Sequence, residues 1–363
     1  MSTKVYGAIE VGAKIVEWHS CIIAHSFDQA ILLKDECQHL VRRMETNDKI
    51  VAYFSLVDFR HELLFQRKLD GTEEIESVPA EQLGPIEPLL NYLYYFVSGQ
   101  NEFRNERYRA AIRLFNKAER LLEYVKDDSE EAEFHYYAGY TYYHLNQYPI
   151  ACSYIENARL IFDRLGYSDK STSCDVILGG IYSETNYEQK AVELFDKALS
   201  HCETEAAKGI VLQAMALNGV RYGQYSKAID LIEKALELNE HRDNYHGMRS
   251  LSILANAYFR NDDFKAGELK LQQAESEASF YNSEEYQARC LANRGLYVND
   301  DLTYVDQAIS MLQKRSLDFE VAEVAKEAAD VLRKKGEWEK ALNYLTIAFD
   351  ARLNQNSMGV EQS

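Results

Sequence analysis

The chain has 363 residues, 46% apolar and 12% aromatic, with 40 Lys and Arg against 58 Asp and Glu for a net charge of −18. That apolar content suits a folded protein, and no apolar run approaches the roughly 20 residues that a membrane-spanning helix needs. So negative a chain repels a phosphate backbone, which argues against direct nucleic-acid binding and favours basic peptides or basic protein surfaces as partners. The N-terminal stretch MSTKVYGAIEVGAK has no long apolar core followed by small residues, so the expected protein is soluble, unexported and cytoplasmic. Six cysteines, at 21, 37, 152, 174, 202 and 290, lie too far apart for a disulfide framework or a zinc site and read as reduced thiols in helix interfaces.

In chain order, residues 1–70 read as three helices. The first carries Ile15, Trp18, Ile22 and Ile23 at helical spacing, and the second starts after Ser26, with Gln29 placed as a capping-box partner. Ile31, Leu32, Leu40, Val41 and Met44 are expected to form its apolar face. Thr46-Asn47-Asp48 supplies a stop and a new cap, and a third helix follows from about Ile50 to Arg67. These 70 residues hold nine Lys/Arg and ten Asp/Glu, so nearly all of the excess negative charge lies beyond them.

The stretch DGTEEIESVPAEQLGPIEP, residues 70–88, contains three of the four prolines, two glycines and six acids, and reads as a linker. From residue 89 the sequence repeats. Gly99, Tyr108, Ala111, Phe115 and Ala118 return as Gly139, Tyr148, Ala151 and Ala158, as Gly179, Tyr182, Ala191, Phe195 and Ala198, and as Ala216, Tyr225, Ala228, Ile232 and Ala235. Ala255, Tyr258, Phe264, Leu271 and Ala274 continue it, and Ala329, Trp338, Ala341, Leu345 and Ala348 close it. Small side chains let paired helices approach and bulky ones fill the groove between them, the tetratricopeptide signature. Residues 285–317 are a degenerate copy in which Ala308 and Leu312 keep the register. The expected architecture is all-α: an N-terminal three-helix bundle (1–70), a linker (71–88), a right-handed superhelical tetratricopeptide solenoid (89–353) and a tail (354–363).

No phosphate-loop, dinucleotide or nucleophile-elbow motif occurs. His61-Glu62-Leu63-Leu64-Phe65 has phenylalanine where the second zinc ligand of a metalloprotease helix must stand. No catalytic residue, metal site or cofactor is expected. A groove is. The first helix of each stacked pair lines an inner wall that takes an extended peptide, and Glu184, Gln213, Asn218, Arg221, Arg249, Asn256 and Arg260 are expected to face it. Amide side chains there can hydrogen-bond a peptide backbone, and Glu184 can pair a basic side chain.

Residues 52–61 (AYFSLVDFRH), with Ile15 to Trp18, the Met44-Glu45 turn, YRAAIRLFNKAE and EEAEFHYYAGYTYYHLNQ, resemble the Rap family of Gram-positive quorum-sensing regulators. The resemblance implies a three-helix effector domain, a flexible linker and a repeat domain that binds a short exported and re-imported signalling peptide, whose capture compacts the solenoid and releases the partner. Family members dephosphorylate a response regulator or sequester a transcription factor. Where phosphatase members place a glutamine before the third helix, this chain has Asp48, between Asn47 and Lys49. A carboxylate at about 4 Å from a phosphoryl anion is opposed by roughly 4 kcal/mol at an effective dielectric of about 20. A backbone-clamping asparagine of relatives falls at Ala214, leaving Gln213 or Asn218 to substitute, whereas their acidic residue is matched by Glu184. The leading expectation is a peptide-released regulator that sequesters a transcription factor (anti-activator or anti-repressor) through a surface including Asn47, Asp48 and Lys49, with a homo-oligomer left open. The alternatives are an aspartyl-phosphate phosphatase and a peptide-controlled DNA-binding regulator.

Overall fold

The computed structural model describes residues 5–24, 26–65 and 88–357, and among them helices account for all regular structure apart from one isolated bridge, Tyr6 to Met44. The bundle helices are α1 (Ala8–Ile23), α2 (Phe27–Val41) and α3 (Asp48–Phe65). The repeats pair α4 (Pro88–Arg104) with α5 (Tyr108–Glu119), α6 (Asp128–His144) with α7 (Tyr148–Leu165), and α8 (Ser168–Glu184) with α9 (Glu188–Ser200). They continue as α10 (Glu205–Arg221) with α11 (Tyr225–Glu237), the short α12 (Asn239–Arg242), and α13 (Tyr245–Arg260) with α14 (Phe264–Phe280). After α15 (Glu284–Asn293), a π-helical turn (Arg294–Asn299) and α16 (Leu302–Lys314) come α17 (Asp318–Lys334) and α18 (Trp338–Ser357).

Packing divides the chain within the repeats. The described residues of one compact unit come from 5–65, 88–141 and 153–167, and those of the other from 142–152 and 168–357. The bundle thus shares a unit with the first repeats, and the expected boundary at the linker is not where this division falls. The linker itself lies outside the described residues except for Pro88, which starts α4, where its missing N–H costs nothing. Of the expected tail, residues 354–357 belong to α18 and 358–363 lie outside the described residues.

Each helix pair turns through a left-handed residue set five positions before an anchor: Glu106, Asn146, Asn186 and Gly223 precede Ala111, Ala151, Ala191 and Ala228. The anchors are fully buried. Sixteen positions separate the small residue of each first helix from the bulky residue it meets on the second, as in Gly99 and Phe115, Gly139 and Ile155, Gly179 and Phe195. A Cβ added at Gly99 or Gly179 would come within 2.5 Å of a phenylalanine ring, and at Gly139 within 2.8 Å of Ile155. In the degenerate pair Leu296 stands 16 positions before Leu312, and the backbone there is the π-helical turn.

In the bundle Val11, Ile15, Trp18 and Ile22 of α1 pack on Ala30, Leu33, Cys37 and Leu40 of α2. The expected α2 face is therefore rotated: Ile31 and Leu32 are exposed, because positions 30, 33, 37 and 40 complete the inward stripe. The Ser26 side chain makes no cap hydrogen bond, so the expected capping box is not formed. Asn47 does cap α3, its Oδ1 accepting from Ile50 N at 3.1 Å.

One buried polar cluster ties α3 to the first repeats. Arg60 Nη1 donates to Glu130 Oε2 at 2.6 Å and to His19 Nε2 at 2.6 Å, while Nη2 lies 3.8 Å from Glu133. Tyr92 donates to the other Glu130 oxygen at 3.2 Å. Burial, and then Arg60, hold His19 well below its ordinary pKa, so the neutral ring accepts at Nε2 and offers Nδ1–H to the Tyr53 hydroxyl at 3.2 Å. His61 is likewise structural: Trp18 Nε1 donates to its Nδ1 at 3.1 Å, and burial pushes its pKa down to about 4. Cys37, Cys174 and Cys290 are buried thiols and Cys21, Cys152 and Cys202 half-buried ones.

The close approach at Gly179 is the testable element. Gly179→Ala gains helix propensity but forces the Phe195 ring aside, and we expect a net loss on the order of 1–2 kcal/mol in urea unfolding. Adding Phe195→Leu to that variant should recover part of the loss.

Candidate functional site

Within the second unit, the first helices α8, α10, α13, α15 and α17 carry three groups of paired polar side chains. In the first, Glu184, at the end of α8, accepts from Tyr143 and Tyr148 at 2.7 Å each and lies 3.4 Å from Arg221 Nη2. Arg221 Nη1 also donates to Ser183 Oγ at 2.7 Å. Burial raises the Glu184 carboxyl above its ordinary range, against the opposing pull of Arg221 and the two tyrosines. Glu184, expected to face the groove and pair a basic side chain, thus has partners within the protein, Arg221, Tyr143 and Tyr148.

A second group lies on α13. Asn256 Nδ2 donates to Asn293 Oδ1 at 2.9 Å and to Glu327 Oε1 of α17 at 2.6 Å. Glu327 also accepts from Tyr297 at 2.7 Å. The π-helical turn delivers that tyrosine, whose ring stacks on Phe259 with centroids 4.8 Å apart and planes 7° apart. Arg260 lies over the Tyr225 ring at 4.8 Å. A third group joins Arg249, whose Nε donates to Tyr286 at 2.8 Å, to Arg289 beside Glu285 at 2.8 Å and Glu320 at 3.6 Å.

Glu184 and Arg221 therefore share one polar group, Asn256 and Arg260 a second and Arg249 a third, and together these make up the inner network of the first helices. Gln213 is not part of it: it is buried, and its amide donates to His246 O and Ser250 Oγ at 2.8 Å each, clipping α10 to α13. Asn218 is also buried, with no hydrogen-bond partner at its Oδ1. Both were expected to face the groove and hydrogen-bond a peptide backbone; in the structure both side chains are buried, and the Gln213 amide is taken up by α13. In the bundle Asp48 and Lys49 are exposed in the first turn of α3, next to the capping Asn47. An acid at that position suits the helix dipole. Sequence reasoning missed Tyr143, Tyr148, Tyr297, Glu320 and Glu327, whose roles come from partners 30 to 71 positions away. It also missed the apolar surface of the bundle, where Ile9, Val16, Ile31 and Leu32 are exposed.

The Glu320 carboxyl is pushed up to about 8 by burial, then by Glu285, against Arg289. An unfolded glutamate loses its proton near its ordinary value, whereas the folded state holds this one to about pH 8. The folded state thus binds the extra proton, so this group's contribution to stability declines as pH rises through that window. We expect urea midpoints to fall between pH 5 and 8, and Glu320→Gln to flatten that slope.

The bundle and the start of the repeats match known families. Residues 5–66 match the model described as response regulator aspartate phosphatase H, N terminal, and residues 96–156 match a tetratricopeptide repeat. The Type II methyltransferase M.CeqI of Rhodococcus hoagii is 33% identical over 360 residues, 97% of this chain and 69% of that protein. Response regulator aspartate phosphatase I of Bacillus subtilis (strain 168) is 25% identical, over 94% of this chain and 90% of its own. The name of the Rhodococcus protein describes that protein. A Rap protein crystallised with the competence and sporulation factor shares the fold, with a TM-score of 0.90 and 22% identity over 96% of this chain and 99% of that one. With this bundle, these repeats and these relatives, the chain belongs to the Rap family of tetratricopeptide regulators.

Proposed function

We propose that the chain is a peptide-responsive regulator whose N-terminal bundle holds a transcription factor and lets it go when a short signalling peptide occupies the inner network. The observation that carries this reading is the network itself. Ionisable and amide side chains are costly to hold out of water and are kept where they recognise something. Here Glu184, Arg221, Asn256, Arg260 and Glu327 set acid, guanidinium and amide groups on the first helices α8, α10, α13 and α17, groups that a peptide backbone with one charged side chain fits. The family relative with a bound factor supports the same use of the fold.

For the partner, the bundle offers Asn47, Asp48 and Lys49 beside the exposed apolar residues Ile9, Val16, Ile31 and Leu32. The linker and the bundle as a separately moving head are part of this proposal. A second reading, removal of phosphate from a response regulator, is favoured by the match of residues 5–66 to a phosphatase N-terminal model. The exposed carboxylate at Asp48 weighs against it.

Two experiments test the reading. In pull-downs against a candidate regulator, retention should be lost on adding the cognate peptide and lost in Leu32→Glu; retention that ignores peptide contradicts the switch. Turnover of a phosphorylated regulator by substoichiometric protein would instead establish the phosphatase. Screening short synthetic peptides by calorimetry, we expect Asn256→Ala and Glu184→Gln each to weaken binding about tenfold, roughly 1.4 kcal/mol; unchanged affinity in both would place the peptide elsewhere.

A further inference from the structure

In a chain with 40 bases and 58 acids, the second helix of the first pair runs the other way. Residues 107–120 hold five bases, Arg107, Arg109, Arg113, Lys117 and Arg120, and one acid, Glu119. Arg109, Arg113, Asn116, Lys117 and Arg120 are all exposed and fall at i, i+4, i+7, i+8 and i+11, the spacing of a single helix face. The repeat supplies the comparison. Counted from the anchor alanine, the same five positions carry one acid and no base in α7, two acids and one base in α9, and three acids and one base in α11. The solvated face of a second helix is thus acidic in the following pairs, and α5 departs from it. At one end the departure also works against the helix, because α5 has no acid in its first turn and places Arg109 there, with Arg107 at the N-cap, where the dipole disfavours a cation. Arg113 and Arg120 form no ion pair among the described residues, and Lys117 lies over the Tyr95 ring at 5.3 Å.

We propose that this face of α5 docks an acidic surface of a partner protein. At 1.5 Å per residue the stripe is about 17 Å long, and acids bound it at both ends: Glu102 and Glu106 precede it, and Glu123, Asp127 and Asp128 follow. A nucleic-acid duplex carries a charge about every 1.7 Å along its axis and continues past both ends, and an anionic bilayer continues in every direction of its plane, so each brings phosphates against those acids. A patch of carboxylates on a folded protein can stop where the stripe stops. Three of the four bases in the stripe are arginines, whose planar fork grips a carboxylate bidentately and which protein interfaces favour over lysine. α5 belongs to the compact unit that holds the bundle, whereas the inner network belongs to the other, so the proposal does not rest on the peptide reading.

The test titrates the full chain into a labelled, alanine-rich helical peptide with glutamate at every fourth position, and into the same peptide with lysine in place of glutamate, a labelled DNA duplex and phosphatidylglycerol vesicles. The acidic peptide should bind, with an affinity that falls about tenfold or more between roughly 50 and 200 mM salt. Arg113→Glu with Arg120→Glu should weaken it at least about tenfold at an unchanged melting temperature, since both side chains are exposed, while any binding of the lysine peptide should be indifferent to the substitutions. Should the melting temperature fall, Arg113→Gln with Arg120→Gln decides, because it removes the charge without adding acids and must still weaken the acidic peptide. A wild-type chain that does not bind the acidic peptide overturns the proposal, as does binding that ignores both double substitutions. Tighter binding of the duplex or the vesicles overturns it in favour of a phosphate surface. Binding that emerges only when Glu73, Glu74, Glu76 and Glu81 are changed to glutamine overturns it too, by giving the stripe to the chain's own acids.

Discussion

Everything the repeats do depends on how close two helices of a pair can come. Gly99, Gly139 and Gly179 leave no room for a methyl group against Phe115, Ile155 and Phe195. In the next two pairs the small partner grows to alanine, at 216 and 255, and the bulky one is the aliphatic Ile232 or Leu271. The separation is thus maintained by trading volume across the interface, as close-packed interiors require. With the pairs held at that spacing, the ends of the first helices line up, and Glu184, Arg221 and Arg260 recur at the ends of α8, α10 and α13.

The fold was legible in the sequence where volume carries the signal. Small and bulky residues recur at fixed offsets, and each anchor alanine is buried as its position in the pattern demands. In α2 two apolar stripes overlap, and composition alone favoured the bulkier Ile31 and Leu32 over Ala30 and Cys37; the register of neighbours on α1 decides the matter. The site was harder to read because its residues acquire meaning from partners in other repeats. Glu184 was visible as an acid on an inner wall, but nothing local to it announces Tyr143, Tyr148 and Arg221. Gln213 and Asn218 look like groove amides in a helical count, yet they lie on the packing face, where Gln213 serves as a clip.

The charge of the chain has two components with different physics. Most acids are exposed and act only through a screened surface field. The inner acids are matched at short range by arginines and tyrosine hydroxyls, and there the low dielectric makes each unmatched group expensive. Any guest admitted to such a wall would have to replace each hydrogen bond it displaces or leave a bare charge behind.

The same physics at Arg60 bears on how the bundle is held. Its guanidinium is surrounded by Glu130, Glu133 and the neutral His19, with almost no access to water. An oily contact can loosen by degrees as side chains slide, whereas a sequestered cation surrendering its counter-ions gains nothing until solvent floods in to replace them. The seam between α3 and α6 therefore has no comfortable half-open position. Were α3 to part from α6, the contact would give way as a unit rather than by degrees.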